Sequence, residues 1–159
     1  MSVDSYKPES SAPWILSRAD GVAAGSQDVL LVLGRVLLGW IFVQSGWRKL
    51  MDIQAFVVTM PRRGLPDIMG YIAPPVEFIG GLLILFGLAT RYTALLMLLF
   101  IIIASFSSHR YWDFTDAAQR QQQHTHFWKN VSMMGGQVLL FLTGAGRYSV
   151  DRLLMRQRG

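Results

Sequence analysis

The sequence predicts an all-α protein, an antiparallel four-helix transmembrane bundle, on three observations. Of its 159 residues 52% are hydrophobic and the mean hydropathy is +0.32, more apolar than a soluble core of this size requires. The apolar runs are apolar nearly all round, whereas a soluble helix shows one apolar stripe. The run ending near Leu88 and the run opening at Tyr92 are separated by Ala-Thr-Arg, which leaves room only for an antiparallel pair.

Residues 1–27 read as a polar N-terminal tail, with Pro8 and Pro13 and no basic start before an apolar core. With no cleavable signal there, the first span inserts the chain. That span is expected over 28–50, since about twenty residues cross the hydrocarbon. At about 100° per residue, Arg35, Gly39, Gly46 and Lys49 share one stripe of it, and the glycines let a neighbour approach closely. Residues 51–66 form a connector broken by Pro61, Gly64 and Pro66, with Phe56-Val-Val along the membrane surface. The second span is expected over 67–88 and the third over 92–108, followed by a polar loop, 109–127. The fourth, over 127–142, carries Asn130, Met134, Gln137 and Phe141 on one stripe. The domain is expected to close at residue 151, leaving 152–159 as a basic surface tail.

Fifteen Lys and Arg against ten Asp and Glu give a net charge of +5. The basic residues flank apolar runs instead of forming one face, so the anionic neighbour is the phospholipid headgroup and not nucleic acid. The absence of cysteine excludes disulfide, thiolate and cysteine-ligated iron–sulfur chemistry for this chain. An even span count puts both termini on one side. Lys and Arg divide evenly between the two sides, and the basic stretch Arg147 to Arg158 tips the expectation to cytoplasmic termini.

The stretch that organises the chain is Tyr71-Ile-Ala-Pro-Pro-Val-Glu-Phe-Ile-Gly-Gly-Leu82. Glu77 is the one acid within the long apolar runs, and a bare carboxylate at a helix centre costs about 2.5–3.5 kcal/mol. It requires a partner or a proton. Pro74 and Pro75 remove the amides that would bond the carbonyls of Gly70 and Tyr71, so this face should point inward. An alternative reading starts the helix at Pro75, with Glu77 in its first turn offsetting the dipole.

Counting helix rise from Asp28 and from Leu88 places Arg35 about 10 Å and Glu77 about 16 Å from the same side, an offset an arginine can reach across. An Arg35–Glu77 ion pair between the first two spans is therefore expected, with Gln137 near it and His109 and Asn130 at the opposite mouth. Such a pair is either internal glue that sets helix register or the lining of a pocket for a proton, a quinone headgroup or a small polar substrate. Catalytic residues are not assigned. All three histidines fall in or beside the third loop, which disfavours an intramembrane haem. No metal site is expected, because His124 and His126 in a polar loop read as solvated side chains. Tyr111, Trp112 and Trp128 suit an interfacial aromatic belt.

Taken in order, Leu33-Gly-Arg-Val-Leu-Leu-Gly-Trp-Ile-Phe-Val-Gln-Ser-Gly-Trp-Arg-Lys49, Gly64-Leu-Pro66, Val76-Glu-Phe-Ile-Gly-Gly-Leu82, Gly87-Leu-Ala-Thr-Arg91, Phe127-Trp-Lys-Asn130 with Gly135-Gly136, and Gly144-Ala-Gly-Arg-Tyr-Ser-Val-Asp151 resemble the DoxX family of small bacterial four-helix membrane proteins. The likeness covers residues 28–151. The resemblance implies the bacterial inner membrane and membrane redox or oxidative-stress assemblies, since the family takes its name from a subunit of a thiosulfate:quinone oxidoreductase. Arg35, Glu77 and Asn130 look like the family's recurring polar positions, and His109-Arg-Tyr-Trp-Asp-Phe114 looks like the version in single-domain members. This chain lacks the fused or cysteine-bearing partner of some members, so it is not expected to be a self-sufficient oxidoreductase. The leading expectation is a subunit of a quinone-linked redox complex, with other membrane subunits or a second copy as partners and quinone as the one candidate cofactor. A carrier or channel for a small solute or lipid, and a non-catalytic assembly scaffold, stand as alternatives.

Overall fold

The computed structural model describes residues 14–156. Residues 1–13 of the expected N-terminal tail and 157–159 of the expected basic tail lie outside the described residues. Among the described residues every regular element is helical. In chain order they are α1 (Trp14–Met51), α2 (Ile53–Val57), α3 (Ile68–Phe86), α4 (Thr90–Ser108), α5 (Ala117–Thr143) and α6 (Val150–Arg156), with short 3₁₀ turns at Pro61–Arg63 and Tyr111–Asp113.

The burial pattern is inverted relative to a water-soluble protein. Along α4 the side chains of Leu95, Leu96, Leu99, Ile103 and Phe106 are exposed, while Ala94, Met97, Ile101 and Ser105 are buried. Arg35, Glu77, Asn130 and Gln137 are all buried as well. Apolar groups outside and polar groups inside suit a hydrocarbon surround. Helices α1, α3 and α4 are each long and apolar enough to cross a membrane.

Helix α1 starts at Trp14, fourteen residues ahead of the expected span. Apolarity set the expected boundary, but helical hydrogen bonding does not stop where apolarity does. Ser17 Oγ bonds the Trp14 carbonyl at 2.9 Å within this polar extension. Helix α5 likewise begins at Ala117, inside the stretch 109–127 expected to be loop. Glutamine is a good helix former, and the Asp116 carboxylate caps the helix by accepting from Gln119 N at 2.9 Å.

Helix α3 runs unbroken through Pro74 and Pro75, so Glu77 sits in its middle and not in a first turn. It packs along α1 through glycines. A Cβ at Gly46 would lie 2.6 Å from Phe78 N, one at Gly39 2.8 Å from the Gly81 carbonyl oxygen, and one at Gly81 2.7 Å from Val43 N. These backbones touch because no side chain separates them. Helix α4 packs on α5 and on α3, whereas α1 and α5 scarcely meet. The shared apolar core is Phe42, Ile84, Ala94, Met97, Ile101 and Leu140.

The α3–α4 turn is closed from a distance. Gly87 adopts φ +67° as the C-cap of α3, and Leu88 N bonds the Leu83 carbonyl at 2.9 Å. Asp151 then accepts from Ala89 N at 2.6 Å and Thr90 N at 2.9 Å, while its own amide bonds the Gly87 carbonyl. The first turn of α6 thus caps α4.

Candidate functional site

At the end of the helices away from that turn, α1 finishes, α3 passes its midpoint, α4 finishes and α5 enters. Lys49, in the last turn of α1, donates from Nζ to Glu77 Oε2. The Glu77 side chain is 8% exposed and that of Lys49 30%, so the carboxylate is enclosed and its partner reaches in from the rim. Beside them lies a cavity of about 120 Å³ lined by Arg48, Lys49, Glu77 and Lys129 together with the neutral Ser45 and Asn130. A water needs only about 10–15 Å³ of such space, so several waters or a small polar group fit. Three cations around one carboxylate leave the cavity with surplus positive charge and many N–H donors, the chemistry of an acceptor-rich or anionic ligand.

The expected Arg35–Glu77 pair does not form. Arg35 is buried at the other end of the helices, where its Nη2 donates to the Tyr148 carbonyl. It also lies against Gly87, where any Cβ would overlap its guanidinium. The error is one of register. The depth count set Asp28 level with Leu88, but the Gly46–Phe78 and Gly39–Gly81 contacts set Arg35 level with Gly87. Ten residues of α3 then separate Glu77 from Arg35's level, about 15 Å by helix rise.

The other expected residues divide between the two ends. Asn130 lines the cavity and its Nδ2 donates to Ser105 Oγ at 3.1 Å, which in turn donates to the Ile101 carbonyl at 2.7 Å. His109 borders the cavity, with Nδ1 2.8 Å from Gln123 Oε1 and its ring centroid 5.2 Å from that of His126. Gln137 is fully buried, seven residues further along α5, with neither amide atom hydrogen-bonded. In the connector, Arg63 donates to Ser108 Oγ at 2.9 Å and stacks over Phe56 at 5.0 Å. Burial lowers its pKa from the ordinary arginine value. Among the described residues no three His, Cys, Asp or Glu side chains gather as a metal site would require.

A model of the family described as DoxX matches residues 30–110, which carry Lys49, Glu77 and His109. The chain belongs to the DoxX family. It is 35% identical over 131 residues to the "Inner membrane protein YqjF" of Escherichia coli (strain K12), covering 82% of this chain and 96% of the relative. It is 34% identical over 129 residues to the "Inner membrane protein YphA" of the same strain, covering 80% and 91%. Over 77 residues it is 36% identical to the "Putative oxidoreductase CatD" of Bacillus subtilis (strain 168), covering 48% of this chain and 58% of the relative. No solved structure matches it.

In this DoxX chain the residues that sequence reasoning passed over are Arg48, Lys49 and Lys129. Lys49 stood on the same stripe of α1 as Arg35, and it is the contact of Gly46 with Phe78, the neighbour of Glu77, that sets Lys49 and not Arg35 at the height of the carboxylate. Lys129 is one residue from Asn130 and reads, in sequence, as an interfacial lysine of the kind that snorkels outward. The structure leaves it exposed at the rim of the cavity.

Proposed function

We propose that this DoxX protein crosses the bacterial inner membrane four times as an antiparallel bundle, with α5 as the fourth span, and serves as a quinone-linked subunit of a membrane redox assembly. The observation that carries this reading is the polar cavity around the Lys49–Glu77 pair, enclosed among otherwise apolar helices. An intramembrane carboxylate is costly to keep, and here it stands beside unpaired donors in a space large enough for a ring substituent. The names of the E. coli relatives place those proteins in the inner membrane, and the name of CatD marks that protein as a "Putative oxidoreductase". Both termini lie on the cytoplasmic side in this reading, where the cluster Arg147, Arg152 and Arg156 meets the positive-inside rule.

The donor set suits a quinone headgroup. Lys129 and Lys49 offer N–H donors to ring carbonyl oxygens, and Ser105 fixes the orientation of Asn130. Glu77 presents its carboxylate beside the same space, held there by the hydrogen bond from Lys49. A bound quinone supplies two-electron, two-proton chemistry, its electrons delivered by a separate dehydrogenase subunit, because the chain has no cysteine to bind an iron–sulfur cluster.

The test is to purify the protein from its own membranes and measure the quinone and the subunits that accompany it. Stoichiometric quinone, lost in Glu77→Gln while the protein remains folded, supports the reading. Quinone-free protein that also fails to take up added ubiquinone or menaquinone overturns it, as does quinone that Glu77→Gln and Lys129→Gln both leave in place.

A further inference from the structure

The gap between α1 and α5 forms a groove of about 630 Å³ whose walls are almost wholly apolar, among them Leu30, Leu37, Met133 and Leu139. On α1 it extends from Leu30 to Ile41, about 16 Å along the helix by rise per residue. The groove and the polar cavity adjoin, because Ile41, Lys129 and Met133 border both. One end of a long apolar groove therefore lies beside the cations of the cavity. That is the shape of an amphiphile: a chain lying parallel to the helices, as lipid chains do, and an acceptor-bearing headgroup at Lys129.

We propose that this groove seats the isoprenoid tail of the quinone whose headgroup enters the cavity, so that the ligand loads sideways from the bilayer between α1 and α5. The inference rests on the quinone reading above and adds the route and the tail site. Hydrogen-bond complementarity supports this occupant, since the carbonyl oxygens of a quinone are acceptors that meet the surplus donors of the cavity. A second groove, between α3 and α4, also borders the cavity through Lys49 and His109 and is likewise mainly apolar, with Met69, Ile72, Leu96 and Leu99 in its lining, but it measures about 250 Å³. Its smaller size makes it the poorer seat for a long hydrocarbon chain.

Glycine placement supplies the test. A Cβ at Gly34, which lines the groove, would meet no other atom within 4 Å, and the same holds at Gly135, which does not line it. Gly34→Phe adds a ring to the groove from a position whose Cβ has open space, and Gly135→Phe adds the same ring elsewhere. In nanodiscs of Escherichia coli phospholipid, binding of long-chain ubiquinone and of its tail-less headgroup is followed by tryptophan quenching. The expected result is that Gly34→Phe, and to a smaller degree Gly34→Leu, weakens the long-chain ligand about tenfold or more, a change of about 1.4 kcal/mol. The tail-less headgroup binds as in the parent, and Gly135→Phe changes neither.

If the parent binds both ligands and Gly34→Phe leaves both unchanged, the tail site is wrong and the headgroup reading stands. Weakening by Ala73→Phe in the second groove, with Gly34→Phe silent, moves the tail between α3 and α4 and overturns the proposal. Release of phospholipid but not quinone by Gly34→Phe overturns it in favour of an ordinary lipid chain. A parent that binds neither ligand removes the quinone reading itself.

Discussion

Lys49 hydrogen-bonds Glu77 one helical turn beyond the point where Gly46 lies against the Phe78 backbone. The close approach of the two backbones and the ion pair are thus one arrangement. The glycine brings the helices near enough for a lysine on one to reach a carboxylate on the other. Removing one member of an enclosed pair strands the other charge, which costs about 3–5 kcal/mol in a fully buried setting.

The partial exposure of Lys49 puts Lys49→Met at about 3 kcal/mol, the lower end of that range. Adding Glu77→Gln should recover more than half of the loss, because the double variant buries no unpaired charge. Thermal unfolding of the four proteins of this cycle in one detergent measures it. Additive losses would mean that the two residues act separately.

Small residues on the α1–α3 seam are the second prediction. Gly46→Ala places a methyl group against Phe78 and should cost about 1–3 kcal/mol through overpacking. Gly135→Ala, with open space around its Cβ, should gain up to about 1 kcal/mol from helix propensity alone. Opposite signs in the two melting temperatures are expected; equal effects would contradict the seam.

The turn between α3 and α4 gives the third. Asp151→Ala removes the acceptor for Ala89 N and Thr90 N and should cost about 1–2 kcal/mol, the range of a lost N-cap. Proteolysis near Gly144 should speed up in parallel, because Asp151 also anchors the segment before α6. An unchanged cleavage rate would show that the cap is dispensable.

Gly87 is constrained three ways, by φ +67°, by the Arg35 guanidinium and by the Ser149 Cβ, 2.7 Å from where its own Cβ would be. Gly87→Ala should therefore cost more than the roughly 1–2 kcal/mol of a left-handed alanine. In Arg35→Ala, which removes one of the two clashes, the same substitution should cost less while the Ser149 contact keeps it above that range. Failure of Arg35→Ala to soften the effect would place the cost in the backbone and the Ser149 contact.

The helical class, the membrane setting and the enclosure of Glu77 follow from residues readable in the sequence. Apolar runs announce spans, and an acid inside one announces a need for company. Which cation supplies it was not readable, because Arg35 and Lys49 share a stripe of α1 and differ only in height. Height depends on the offset between neighbouring helices, and that is set by glycine contacts on two separate segments. The polar first half of α5 was equally hidden, since a glutamine-rich run reads as loop until a capping aspartate is seen bonded to it. His109 and Asn130 line one cavity with Glu77, and Arg35 lies away from it.

Helix α1 has 38 residues, about 57 Å at the usual rise, against a hydrocarbon thickness of about 30 Å. Its exposed first turns therefore stand clear of the lipid as a stiff continuation of a spanning segment. A helical marker fused in phase at Trp14 would inherit the tilt of the whole protein, giving so small a membrane protein an external handle for image alignment in electron microscopy.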